Sequence, residues 1–205
     1  MAQPKWQRRA DERPREICAA ALEVFAEKGF AAAKLDEIGR RAGVSKGTLY
    51  LYFNDKQELF RAVVKSAIAP NIEAVTSAVS SLDAPFPDLV RMFLAGFAER
   101  EARLPIGAVA KIVVGESRNF PELARVWHDE VASKAIGALS SFIERAQQRG
   151  EIRAGDPRLY AFSLIGPMVL GALWRATLVP AGGTPLDLAA LAKQHSETIL
   201  AGLLA

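Results

Sequence analysis

The chain has 205 residues, half of them hydrophobic, one cysteine and a formal net charge of +3. A single cysteine excludes an internal disulfide framework, and no run of 18 or more apolar residues suggests a membrane span. The charge is uneven, +4 over residues 1–65 and −1 over the rest, so a polyanionic partner is expected for the N-terminal third.

The polar opening MAQPKWQRRADERPR does not resemble a signal peptide. With Cys18 in an Ala-rich helical pattern, this leads us to expect a cytoplasmic protein with a buried free thiol. A first helix is expected from about Pro14 to Lys28, with Ile17, Ala21, Val24 and Phe25 as its apolar stripe and Gly29 as its stop. A short second helix follows over about Leu35–Ala42, broken by Gly43. Ser45 is placed to cap a third, about Lys46–Tyr52. Asn54 or Asp55 caps a fourth, with Asp55 and Glu58 at capping-box spacing. Beyond DAPFPD come longer apolar helices, roughly 87–103, 106–117, 121–149, 157–178 and 186–203, punctuated by Pro and Gly. No strand-period alternation or hairpin signal is present. The fold expected is all-α, with about nine helices.

Two short helices joined by AGVS, with a third before them, suggest a helix-turn-helix. At 100° per residue, Leu49 and Phe53 share the inward face of the third helix, whereas Gly47 and Leu51 point outward, flanked by Thr48 and Tyr50. Such a face suits a DNA groove. Gly47 lets the backbone approach, Lys46, Tyr50 and Tyr52 reach phosphates, Thr48 reaches a phosphate or a base edge, and Leu51 meets a thymine methyl. Lys56, a cation in the first turn of the fourth helix, opposes the macrodipole, and a phosphate contact would explain it.

The segment GFAAAKLDEIGRRAGVSKGTLYLYFNDKQELF, residues 29–60, resembles the DNA-binding segment of the TetR family of bacterial transcriptional regulators. By resemblance, Lys46, Gly47, Thr48, Tyr50, Tyr52 and Lys56 occupy DNA-contacting positions; Ser45, Leu51 and Lys34 complete the candidate interface. Two departures stand out. Ala33 replaces a usual capping threonine, with Lys34 as a substitute phosphate contact, and Gly39 replaces a usual alanine. A slightly looser second helix is expected. The resemblance divides the chain into a flexible basic arm (1–12), a helix-turn-helix domain (13–60) and an effector-binding and dimerisation domain (61–205). Lys5, Arg8, Arg9, Arg13 and Arg15 give the arm charge enough to follow a minor groove and equally to serve as a solubilising tail.

One head reads a half-site, so a homodimer on double-stranded operator DNA is expected. The family dimerises through its last two long helices, and Phe162, Ile165, Leu173, Leu191, Ile199 and Leu203 are the candidate interface. Family members also bind a small effector in the body and release DNA. Phe93, Phe97, Ile112, Phe120, Trp127, His128, Phe142, Met168 and Trp174 are the candidate lining, with Asn119 and Arg175 as further polar handles for a small apolar or aromatic ligand. The implied activity is repression; the alternative is a dimeric DNA-binding regulator whose body takes no ligand. The two histidines, His128 and His195, lie on separate helices. No zinc spacing, P-loop or catalytic triad accompanies them, so no enzyme, metal site or cofactor is expected.

Overall fold

The computed structural model describes the backbone of residues 5–70, 84–102, 104 and 106–204, and side chains from Glu12 onward other than that of Ala67. Among these residues lie nine helices and no strand beyond one isolated bridge, Ile152 to Leu204. Helix α1 (Lys5–Ala32) bends at Gly29, whose φ of 76° and ψ of 170° interrupt the helical run where the sequence predicts a stop. It starts earlier than Pro14, so residues 5–12 of the expected arm belong to its backbone. The side chains of Lys5, Arg8 and Arg9 lie outside the described residues. Helices α2 (Leu35–Arg41), α3 (Lys46–Tyr50) and α4 (Lys56–Val63, continued by a π-helical turn Val64–Ile68) complete the head.

The body contains α5 (Phe86–Glu101), α6 (Ile106–Glu116), α7, α8 (Pro157–Thr177) and α9 (Leu188–Leu203). Helix α7 has two α-helical segments, Pro121–Trp127 and Ser133–Gln148, joined by a π-helical run His128–Ala132. Asp156 and Asp187 cap α8 and α9, each accepting hydrogen bonds from two backbone N–H groups of the first turn. Pro167 lies inside α8 without ending it.

Two apolar cores follow from these stripes. The first joins Ile17, Val24, Phe25, Ile38, Leu49 and Phe60 of the head to Val109, Ile112 and Val113 of α6 and to Leu123, Val126 and Val131 of α7. Its centre is aromatic: Phe30 lies 5.5 Å from Phe25, 5.7 Å from Phe60 and 4.9 Å from Phe120 by ring centroid. The head is therefore packed directly on the α6–α7 corner. The second core, built from α5, α7, α8 and α9, lies entirely in the body. Where α6 crosses α8, a Cβ at Gly107 would overlap the Ala172 carbonyl, so only glycine permits this approach.

Candidate nucleic-acid interface and effector cavity

The sequence of the turn explains how α3 is presented. Gly43 takes φ 66°, turning the chain after α2, and the Val44 N–H donates to the Gly39 carbonyl. Ser45 Oγ then accepts from the Thr48 N–H at 3.1 Å and bonds the Thr48 hydroxyl at 2.8 Å, capping α3 as its sequence predicts. Leu49 is fully buried and Phe53 nearly so, while Leu51 is 82% exposed and Tyr50 45%. The outward face is Gly47, Tyr50 and Leu51, and a methyl group at Gly47 would meet nothing nearer than Ser45 Oγ at 3.8 Å.

Helix α3 ends at Tyr50 rather than Tyr52, with Leu51 as its C-cap. Tyr52 is half-buried and packs on the head core, its ring 6.5 Å from Phe53. The Lys46 ammonium pairs with Asp36 of α2 at 3.0 Å, and that hydrogen bond raises its pKa. Both groups are exposed, so solvent screens the pair and phosphate can compete for the lysine. Lys34 is exposed at the N-cap of α2 and makes no side-chain cap. The first turn of α2 carries Asp36 and Glu37 instead. Asp55 caps α4 through the Glu58 N–H, and Glu58 reaches back to the N–H of Asn54, one residue before the usual capping-box partner.

Lys56 has a structural role that its position in the helix does not reveal. Its ammonium donates to the carbonyls of Ala31 (2.9 Å) and Ala33 (3.1 Å) and lies 4.7 Å from the Phe30 ring centroid. Burial lowers its pKa, and the charge of Glu116 partly opposes that shift. A phosphate contact is thus not needed to explain this lysine.

In the body, α5, α6, α7 and α8 enclose a cavity of about 470 Å³. Of the nine predicted lining residues, Phe93, Phe97 and Trp127 border it. The other six are corrected by the packing. Ile112 belongs to the head core and the partly buried Phe120 packs against it, Phe142 stacks on Phe86 at 4.9 Å, and Met168 is fully buried in the body core. His128 is exposed beside Asp129, and the Trp174 indole N–H donates to the Thr184 carbonyl. Asn119 and Arg175 do not border the cavity. The walls that sequence reasoning misses include small positions such as Ala110, Val113, Ala132, Ala135 and Gly166, larger aliphatic ones such as Ile106, Ile136 and Leu139, and Arg100.

One stripe of α8 leaves Leu159, Phe162, Leu170 and Trp174 at 37–65% exposure, at helical spacing. Phe162 is among the predicted interface residues; Leu159 and Leu170 are not. Ile165, Leu173, Leu191 and Ile199 are partly buried; Ile165 and Leu173 border the cavity, as do the exposed Phe162 and Leu170 at its rim. Leu203 is 2% exposed within the body core and is thereby removed from any surface a partner reaches. Helix α8 with its 3-10 extension, Pro157–Ala181, is also long and apolar enough by composition to cross a membrane, and only 22% of that apolar window is buried within the chain.

Glu101, at the end of α5, accepts from the Gly107 N–H at 3.1 Å, and burial pushes its pKa up to about 7 against the opposing pull of those backbone donors and Arg175. Between pH 4.5 and about 7 the folded chain therefore holds a proton that the unfolded chain has released. Stability from this group is present at low pH and is lost as pH rises. Glu101→Gln should show a melting temperature that gains on wild type as pH rises through that window and levels off above it. A difference that stays flat throughout would refute the assignment.

Residues 17–63 match the family described as bacterial regulatory proteins, tetR family, and residues 87–198, more than half of the chain, match the tetracyclin repressor-like C-terminal domain. The chain is 44% identical over 69 residues to the HTH-type transcriptional activator FasR of Mycolicibacterium smegmatis; the match covers 34% of this chain and only 32% of that protein's length. It is 25% identical over 152 residues to the fatty acid metabolism regulator protein of Bacillus subtilis, covering 74% of this chain and 77% of that one. The crystal structure of the transcriptional regulator FadR from Bacillus subtilis in complex with stearoyl-CoA shares the fold, with a TM-score of 0.75 and 22% identity over 92% of this chain and 98% of that chain.

Proposed function

This chain belongs to the tetR family of bacterial regulatory proteins, and we propose that it acts as a DNA-binding transcriptional repressor. In this reading a cytoplasmic homodimer holds a palindromic operator through α3 of each protomer and releases it when an apolar effector enters the body cavity. One observation carries the reading: α3 is anchored by Leu49 and Phe53, yet Gly47, Tyr50 and Leu51 face outward with no packing role in the chain. A glycine within a five-residue helix and an 82% exposed leucine at its C-cap do not serve folding. They do serve close approach to a groove.

The exposed stripe on α8 supports a dimer, since such a face is costly to leave in water. Leu159→Glu should abolish dimerisation, measured by sedimentation, while leaving the helical circular-dichroism signal intact. A dimer that survives this change would move the interface elsewhere. The cavity supports an effector, and the resemblance to a fatty acid metabolism regulator supports an apolar one. A body that binds no ligand is disfavoured by the same 470 Å³ space.

The test is binding to promoter DNA beside the chain's own gene, and to a genome-wide fragment pool, over a salt series. Wild type should select a palindrome, with affinity falling steeply in salt through counterion release. Folded Tyr50→Ala should lose that selectivity. Equal binding by the two proteins would remove α3 as the reading helix.

A further inference from the structure

The cavity walls are apolar except at one place. Arg100, on the last turn of α5, borders the space and is half-buried there, and among the described residues its guanidinium makes no hydrogen bond or ion pair. The adjacent Glu101 does not serve it, because that carboxylate is taken up by the Gly107 N–H. A partly buried guanidinium with no anion is the unusual feature, since burial of a charge is compensated by pairing wherever a partner exists.

The helix makes room for it. A Cβ at Gly96, one turn earlier, would stand 2.6 Å from Arg100 Nη1. Glycine inside a helix costs stability, and here its absence of a side chain lets the guanidinium lie back along α5 beside the cavity. The guanidinium occupies the space a side chain at position 96 would fill, and its unpaired donors remain available.

We propose that the cavity takes an amphipathic anion, an apolar chain with an anionic group on Arg100. This rests on the reading of the cavity as the effector site and names the class of effector. Size sets the chain length. At about 30 Å³ per heavy-atom group, the liquid-state share of one water, 470 Å³ holds roughly 15 non-hydrogen atoms. That corresponds to a carboxylate with a chain of about a dozen carbons. A neutral ligand leaves Arg100 unpaired, a cation is repelled by it, and any second charge must stay outside the aliphatic walls. The anion has two chemical sources, a free carboxylate or the phosphates of an acyl-CoA whose chain alone enters.

Trp127 borders the cavity and reports occupancy by its fluorescence, with calorimetry on the full chain as a second readout. The probes are dodecanoate, dodecanol and dodecanoyl-CoA, against wild type, Arg100→Met and Gly96→Ala, each first checked for an unchanged circular-dichroism spectrum. Dodecanoate should bind wild type about 10- to 100-fold more tightly than dodecanol, the range of a charge-assisted hydrogen bond. Arg100→Met should erase that gap by weakening the anion alone. Gly96→Ala keeps the charge but displaces the guanidinium, and should narrow the gap. If dodecanoyl-CoA rather than dodecanoate loses affinity in Arg100→Met, the inference holds and the anion is a phosphate.

Indifference of both anions to Arg100→Met overturns the inference, as does equal binding of dodecanoate and dodecanol when dodecanoyl-CoA is also indifferent to that change. Should dodecanol then still release operator DNA, the repressor reading survives without it. No occupancy by any probe overturns both the anionic class and the effector role of the cavity, while the operator-selection experiment tests DNA binding separately.

Discussion

Gly47→Ala is expected to raise the melting temperature and weaken operator binding in the same protein. In the free chain a methyl group at this position meets only Ser45 Oγ at 3.8 Å, an ordinary contact. Alanine is favoured over glycine in a helix by up to about 1 kcal/mol, which at this chain length is about 2–4 °C. Against a groove the same methyl holds the α3 backbone away from the bases. Base contacts are worth about 1–3 kcal/mol each, and a symmetric dimer meets the obstacle twice, so a loss on the order of 100-fold is expected. Gly39 provides the contrast. A Cβ there would come within 3.3 Å of the Val44 carbonyl, so that glycine serves the turn and Gly39→Ala needs the turn to give way. Melts and fluorescence anisotropy on a selected operator check both. If Gly47→Ala gains stability and keeps its affinity, α3 does not face DNA.

The local chemistry of the head is readable because each signal acts within a few residues. Ser45 and Asp55 cap the helices they precede, Gly29 and Gly43 adopt the positive φ their positions imply, and the stripe of α1 is buried as written. The cavity is not readable. Phe120, Phe142 and Met168 are large and apolar like Phe93 and Phe97, and only tertiary packing decides that the former pack within or against cores while the latter, at the edge of the body core, also border a void. A void forms where side chains are small, so Ala110, Ala132, Ala135 and Gly166 are the better signal, set on three helices whose meeting no local pattern announces. Lys56 misleads for a related reason. Its position looks unfavourable within its own helix, and its partners are carbonyls 23 and 25 residues earlier.

Those carbonyls lie at the corner where the body could transmit effector binding to the head. Glu116, the last residue of α6, accepts from the Ala31 N–H at 3.0 Å, and its carboxylate stands 3.8 Å from the Cβ position of the kinked Gly29. Lys56 holds the same peptide segment from the head side. One turn before Glu116, Val113 borders the cavity and also belongs to the head core. On the proposed effector reading, a ligand that shifts α6 pulls on the Gly29–Ala33 corner, where α1 leads into α2. The second polar tie, Lys65 to Glu130 at 3.0 Å, is an exposed pair weakened by salt. Glu116→Ala should accordingly cost little stability, about 0.5–1.5 kcal/mol for one exposed hydrogen bond, and leave operator and effector affinities, each measured alone, within a few-fold of wild type. The factor by which effector weakens operator binding, typically about 5–150 for such coupling, should fall toward one. Linkage supplies an internal check, because the operator's effect on effector affinity must shrink by the same factor. Coupling that persists in Glu116→Ala would place transmission in the apolar contacts of Val113 and Val131 with the head core, where a change of volume rather than loss of a hydrogen bond would be needed to break it.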